Sequence, residues 1–244
     1  TMIEVFKKLS IAVVSTGNEL KEPWQNANED EIYNSNSYAI ITQLKENGFD
    51  ATYAGVVPDN LEETISYIRE LKNYDVIITT GGISMGDADF IAAAYEKNGL
   101  EVAFHGIKVK PGKPTMMGKM GKTYVMALPG NPLTAMVKAT LLTIPVLNKI
   151  QGSSAFFHDY IYAKNAQSFK TKAGRTNVIL GNLIQGEFHV TRQNKYGSGM
   201  LTPLVESNCI VITNEGRAGI EVGDSVKVIF LNSSLVKDQT NIFN

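Results

Sequence analysis

The 244 residues contain one cysteine, three histidines and one tryptophan. A lone Cys209 excludes an intrachain disulfide and any cysteine-rich zinc site, and His105, His158 and His189 are too far apart in sequence to form a local metal motif. Charge imbalance is also lacking: 23 basic residues against 24 acidic ones leave a net −1 without a long basic run, so nucleic acid is not expected as a partner. Neither a secretory signal nor an apolar run long enough to span a bilayer is read, so no membrane partner is expected and the default is a cytoplasmic enzyme or binding protein. Asn232-Ser233-Ser234 matches a glycosylation sequon, which carries no meaning without a secretory signal. No Gly-x-x-x-x-Gly-Lys-Ser/Thr loop occurs, and the glycine spacing is not that of a dinucleotide fingerprint.

What is present is an alternation. Ile11–Val14 is a short β-branched run of the kind buried on both faces of a sheet. Ser37–Asn47 reads as a helix, with Asn36 as cap and Gly48 as stop. Thr52–Val57 reads as a strand, Leu61–Lys72 as an amphipathic helix and Asp75–Ile78 as a buried strand, followed by a helix from Phe90 to Asn98. Thr115–Met117 and Thr123–Leu128 predict a hairpin, and Pro132 opens a long helix that Pro145 should kink or divide. The alternation predicts an α/β domain with a mostly parallel sheet and helices on both faces. From Ala155 the segments shorten and alternate (156–163, 176–183, 187–191, 210–213 and 225–230), which predicts a small all-β, barrel-like domain. The boundary is placed near Gly152, giving domains over 1–152 and 153–244. Thr1 is not an initiator, and Lys7–Ser10 run straight into a strand, as expected of a piece of a longer protein.

Three polar, glycine-containing turns fall at predicted strand ends: Ser15–Glu19, Thr79–Asp89 and Pro129–Pro132. In an open α/β sheet, ligands bind outside the carboxyl ends of the strands, so these turns can converge on one crevice. The second turn, Thr79-Thr80-Gly81-Gly82-Ile83-Ser84-Met85-Gly86-Asp87-Ala88-Asp89, suits a phosphorylated ligand. Its glycines admit a close backbone approach, and Asp87 and Asp89 can hold a hard cation against the anion. Asp89 is the stronger metal-site carboxylate; Asp87 fits that role or a helix-capping one equally. Asp59 suits either a cap before Leu61 or an inward-facing carboxylate. Lys110 and Lys113, in the stiff Lys110-Pro111-Gly112-Lys113-Pro114 frame, suit an oxyanion. Pro129-Gly130-Asn131-Pro132 offers backbone N–H groups to a phosphate or a pterin carbonyl. The Met116-Met117 pair and the aromatics of the tail read as core.

Taken in order, five motifs resemble those of the molybdopterin molybdenumtransferases, the MoeA and gephyrin E-domain family: Ser15-Thr16-Gly17-Asn18-Glu19-Leu20, Tyr33-Asn34-Ser35-Asn36-Ser37, Gly81–Phe90, Lys110–Pro114 and Leu128–Pro132. Gly197-Ser198-Gly199-Met200-Leu201 resembles that family's C-terminal domain. The resemblance implies a MogA-like molybdopterin-binding domain followed by a small β domain. It also implies insertion of molybdate into the dithiolene of adenylylated molybdopterin with release of AMP, assisted by Mg2+. On this resemblance Asp89, Asp59 and Lys110 are the catalytic candidates, and Asp89, Asp87 and Glu19 the metal ligands. Thr16, Gly17, Glu19, Thr80, Gly81, Gly82, Ser84, Lys113, Pro129, Gly130, Asn131 and Pro132 would line the pterin site. The family carries two further domains upstream of the segment corresponding to Ile11. Turnover and homodimerisation are therefore expected of the full-length protein, with a molybdopterin adenylyltransferase as a partner. Adenylyl transfer to molybdopterin and a non-catalytic molybdopterin-binding or scaffold role remain as alternatives.

Overall fold

The computed structural model describes residues 2–57, 60–83 and 90–231. They fall into two compact units, one comprising the chain up to Ile107 together with Gly112–Phe156, the other Lys108–Pro111 with the chain from Phe157 onward.

The first unit begins with β1 (Ile11–Thr16), two short strands β2 (Leu20–Lys21) and β3 (Ile32–Tyr33), α1 (Asn36–Glu46) and β4 (Ala51–Val57). It continues through α2 (Leu61–Glu70), β5 (Val76–Thr80), α3 (Phe90–Lys97) and β6 (Leu100–His105). The chain passes to the second unit for β7 (Val109–Lys110), then returns for β8 (Met116–Met120), β9 (Thr123–Leu128), α4 (Pro132–Lys138) and α5 (Ile144–Ile150). The sheet order is β4-β1-β5-β9-β8-β6. The pairs among β4, β1, β5 and β9 are parallel, while β8 runs antiparallel to both its neighbours.

Burial on both faces explains the unbroken apolar strands. Along β1, Ala12 and Val14 pack with Ile68, Ile91 and Tyr95 on one side of the sheet. Ile11 and Val13 pack with Ile40, Leu44, Ala135 and Leu147 on the other. Successive strand residues point to opposite faces, so both sets must be apolar.

Local signals set the helix ends. The start of α1 lies at Ser35, one residue before the cap expected at Asn36, and the side chain of Asn36 is used elsewhere. The Asn60 side chain accepts from the Glu63 N–H at 3.1 Å and caps α2. Asn60→Ala is expected to destabilise the protein by about 1 kcal/mol, the usual value of such a cap. A fall in the urea midpoint at unchanged slope would show this; an unmoved midpoint would contradict it.

The disruption expected at Pro145 takes a specific form. Residues Ala139–Thr143 wind as a π-helix between α4 and α5. Pro145 has no N–H to donate, and its ring crowds the carbonyl four residues earlier; a wider turn relieves both. The 19-residue helix Pro132–Ile150 contains an 18-residue stretch with a mean hydropathy of 1.3, which corrects the reading that no stretch is long and apolar enough to cross a bilayer. Its apolar character follows from packing on the sheet through Leu133, Ala135, Ala139 and Leu147, all nearly or fully buried.

In the second unit, β10 (Ile161–Asn165), β11 (Phe169–Lys170), β12 (Thr176–Ile184), β13 (Glu187–Val190), α6 (Thr202–Val205), β14 (Cys209–Thr213), β15 (Gly219–Ile220) and β16 (Ser225–Phe230) follow. Strands β13, β10, β16, β14 and β12 pair in that order, and β12 pairs again with β13, closing a five-stranded barrel. The long β12 makes closure possible: residues 177–181 pair with β14, residues 181–184 with β13, and Thr176 and Asn177 with β7. Its interior holds Phe169, Ile179, Phe188, Val211 and Val228. Cys209 lies fully buried there, and burial pushes its thiol up to about 12, which makes it inert. Strand β10 starts at Ile161 rather than Phe156, and α6 adds one short helix.

Candidate functional site

Three strand ends meet at one edge of the first unit's sheet. A Cβ placed on Gly81 would lie 2.7 Å from the Thr16 carbonyl oxygen, and one on Gly82 would lie 2.7 Å from Thr16 Oγ1. A Cβ on Gly130 would lie 3.3 Å from Gly81 Cα. The Gly81 N–H donates to Leu128 O at 3.1 Å, and Asn36 Nδ2 donates to Gly130 O at 2.8 Å. The turns after β1, β5 and β9 therefore line one crevice at the carboxyl ends of parallel strands, where open α/β sheets bind ligands.

A buried polar cluster fixes this arrangement. Ser15 Oγ donates to Asn34 Oδ1 at 2.9 Å and lies 2.7 Å from Ser37 Oγ and 3.1 Å from Thr80 Oγ1. Thr16 Oγ1 donates to Thr80 O at 3.5 Å. The hydroxyls of Thr16 and Thr80 are thus turned inward, tying the turns together, and both residues are buried. A satisfied buried network of this kind specifies one arrangement of its strands. Read from the sequence, Asn36 had only a helix-capping role and Ser37 only a helix start, and Asn34, named within a motif, had no role. Their signal was the density of short polar side chains next to a buried strand.

The loop between β1 and α1 is braced separately. The Tyr38 hydroxyl donates to Glu22 Oε2 at 2.6 Å, and the Tyr53 hydroxyl donates to Glu22 Oε1. Burial, and then the adjacent Glu22 carboxylate, pushes Tyr38 up to about 12 and raises Tyr53 for the same reasons. Lys21 pairs with Glu31 at 3.1 Å across the β2–β3 ribbon.

Other expected site residues are placed as follows. Gly17 is buried, and the Glu19 carboxylate folds over it: a Cβ at Gly17 would meet Glu19 Oε2 at 2.6 Å. Glu19 is exposed and has no ion pair among the described residues, so its hard oxygens are available to a cation. Asn131 precedes α4 and Pro132 takes its first position, although the Asn131 side chain does not close the cap. Pro129 is buried beside Gly130. Lys113 is exposed in the first unit, whereas Lys110 lies in β7 of the second, paired with Asn177. Asp59, Ser84, Asp87 and Asp89 lie outside the described residues. Among the described residues, no group of three acidic, histidine or cysteine side chains could enclose a metal.

Two features went unread in the sequence. Asn36 Oδ1 is buried and has no donor among the described residues, which leaves an acceptor beside Gly130. Lys138 on α4 is only 1% exposed, and burial lowers its ammonium to about 8.

The fold and crevice define an open α/β ligand-binding domain joined in sequence to a small β-barrel. Residues 12–149, more than half of the chain, match the family model for the probable molybdopterin binding domain, and the chain belongs to that family. Residues 162–231 match the MoeA C-terminal region (domain IV). The molybdopterin molybdenumtransferase of Haemophilus influenzae is 31% identical over 231 residues, covering 93% of this chain and 57% of that protein. That of Staphylococcus epidermidis is 28% identical over 242 residues, covering 98% and 58%. The crystal structure of the molybdopterin biosynthesis MoeA protein from Pyrococcus horikoshii superposes with a TM-score of 0.80 at 28% identity, covering 93% of this chain and 55% of that one. The chain thus spans a little over half the length of the curated relatives it matches.

Proposed function

We propose that this chain supplies the pterin crevice of a molybdopterin molybdenumtransferase, and that the whole protein inserts molybdate into adenylylated molybdopterin with release of AMP. The observation that carries this reading is the convergence of the Thr16, Gly81–Gly82 and Gly130 turns, with glycine at each point of closest backbone approach. The orphaned Asn36 Oδ1 suits a pterin N–H, and the exposed Lys113 suits an oxyanion. Unshared carboxylate oxygens at Glu19 fit Mg2+, which typically takes one or two carboxylates together with water and substrate phosphates. In this reading Glu19, with Asp59, Asp89 and Asp87 from the sequence motifs, holds the ion, and the ion would supply Lewis-acid stabilisation of the phosphoanhydride. Ser84 and the backbone of Gly17, Gly81, Gly82, Pro129, Gly130, Asn131 and Pro132 would orient the pterin. No side-chain nucleophile is needed, because a molybdate or water oxygen can attack the phosphate. The same reading assigns the whole protein to the cytoplasm as a homodimer that receives its substrate from a molybdopterin adenylyltransferase.

Asp89→Ala in the full-length protein tests this directly. AMP release in the presence of molybdate and Mg2+ is expected to fall by roughly 100-fold or more, as loss of a ligand to a catalytic cation implies, while the melting temperature stays within a few degrees. Near-normal release would sink the assignment. Production of adenylylated molybdopterin from ATP would instead favour adenylyl transfer, and binding without turnover by the intact protein would favour a scaffold role.

A further inference from the structure

The buried polar cluster that ties the turns together and the Glu22 brace meet at a single bond: Asn34 Nδ2 donates to the Tyr53 hydroxyl at 3.0 Å. That bond makes one continuous chain of side chains from the edge strand β4 to the end of β5. Glu22 accepts from the Tyr53 hydroxyl, Tyr53 accepts from Asn34, and Asn34 Oδ1 accepts from Ser15 Oγ at 2.9 Å. Ser15 Oγ in turn lies 3.1 Å from Thr80 Oγ1. Asn34, Ser15 and Thr80 are all buried, so water does not compete for these bonds.

The chain has a direction. A hydroxyl carries one hydrogen, and a carboxylate carries none. Tyr53 spends its hydrogen on Glu22, and Ser15 spends its own on Asn34 Oδ1. The Ser37 N–H donates to the same Asn34 oxygen at 3.4 Å, which fixes the orientation of the amide. Toward Ser37 and Thr80, Ser15 can therefore only accept, so both of those hydroxyls donate to it. Every hydrogen from Thr80 to Tyr53 thus points toward the Glu22 carboxylate, and bonds aligned in this way polarise and strengthen one another. The Thr80 hydrogen is committed inward, so Thr80 acts through the turn it holds rather than by donating to a ligand. The chain also spans a place where the backbone is irregular. Strand β4 loses register with β1 between Val13 and Ser15, and Gly55 in β4 has φ +101°. On the other side of β1, Ser15 is in register with Thr80, the residue before the Gly81 turn.

We propose that Tyr53 and Glu22 are positioning residues for the crevice: Glu22 anchors the chain, and Tyr53 transmits it through Asn34 and Ser15 to Thr80, setting the spacing of the turns after β1 and β5. The inference rests on the pterin-crevice reading and adds two residues that belong to none of the three turns. Removing the phenol oxygen leaves the buried Asn34 N–H without its acceptor, and an unpaired buried donor makes its surroundings shift or admit water. Asn34 cannot move without releasing Ser15, whose hydrogen it accepts. Tyr38 supplies the control. Its hydroxyl donates to the other Glu22 oxygen at 2.6 Å, whereas the Asn34 N–H goes to Tyr53. The two ring centroids lie 5.2 Å apart, so either hydroxyl can be deleted with the ring packing kept.

The experiment follows amide hydrogen exchange by NMR in wild type, Tyr53→Phe, Tyr38→Phe and Glu22→Gln, together with AMP release by the full-length forms. The Gly81 N–H, bonded to Leu128 O at 3.1 Å, reports on the turn that Thr80 holds. Ile77 and Ile78, within β5, report on global stability. Tyr53→Phe is expected to speed Gly81 exchange about tenfold while Ile77 and Ile78 change by no more than about twofold, as a local opening does. Tyr38→Phe is expected to move Gly81 by less than about twofold. Glu22→Gln, which replaces the anion with a single neutral acceptor, is expected to speed Gly81 as well, and it carries the test should Tyr53→Phe fail to fold. The kcat of AMP release is expected to fall about tenfold in Tyr53→Phe and to stay unchanged in Tyr38→Phe, because a misplaced positioning turn costs rate. Gly81 exchange unmoved in Tyr53→Phe or in Glu22→Gln, equal acceleration by the two tyrosine variants, or one common acceleration of Gly81, Ile77 and Ile78 would each overturn the inference. A wild-type kcat in Tyr53→Phe would do so too. If wild type itself releases no AMP, the reaction is rejected, and the exchange rates still decide the network.

Discussion

Lys138→Met is expected to raise the unfolding free energy at pH 7 by about 3 kcal/mol, and most of that gain is expected to disappear by pH 10.5. The fold lowers the ammonium from its ordinary value of 10.5 to about 8, with burial as the cause. Between these values the unfolded chain holds a proton that the folded chain has released. Wild-type stability therefore rises with pH from about 8 to 10.5, and below about 8, where both states are protonated, the full penalty applies. Methionine has similar length, fills the same channel under Gly112 and carries no charge, so the variant should show no such rise. Urea unfolding of both proteins between pH 7 and 10.5 measures this. A difference that does not change with pH would mean that the folded protein does not hold Lys138 as a desolvated ammonium.

The architecture was legible in the sequence because its strongest signals are local. Ile11–Val14 had to be buried on both faces and Pro132 had to start a helix, and both hold; the hairpin expected around Gly118–Lys122 is also present, with its strand running on to Met120 and its turn narrowed to Gly121-Lys122. The barrel was legible as a class but not as a closed object, since closure depends on one nine-residue strand pairing with three others. Site residues divide along the same line. Gly81, Gly82 and Gly130 could be read because glycine advertises close backbone approach. Asn36 could not, because its hydrogen bond reaches Gly130, 94 residues away. Lys138 drew no reading in the sequence, where it is one lysine in a largely apolar helix, and only the tertiary packing, with Gly112 against its stem, shows it to be buried. Lys110 and Lys113 read as a pair, yet they belong to different compact units.

Gly81→Ala is expected to cost about 2–4 kcal/mol and to lower kcat/KM of the full-length protein roughly 100-fold. Two terms contribute. With φ +91°, alanine would adopt a left-handed conformation at about 1 kcal/mol. Its Cβ would also fall 2.7 Å from the Thr16 carbonyl oxygen, a backbone atom that cannot rotate away, and 2.9 Å from Thr16 Oγ1. Relief of such overpacking adds about 1–3 kcal/mol. The only relief available is to part the β1 and β5 turns, whose spacing is fixed by Thr16 and Thr80. A displacement of about 1 Å at a substrate-positioning turn costs about two orders of magnitude in rate. Gly121→Ala separates the terms. Gly121 has φ +62° in the β8–β9 hairpin, but a Cβ there would meet nothing within 4 Å. It should lose about 1 kcal/mol and leave AMP release untouched. Equal destabilisation by the two variants, or a Gly81→Ala enzyme with normal kcat/KM, would show that the turns after β1 and β5 do not need their close approach for catalysis.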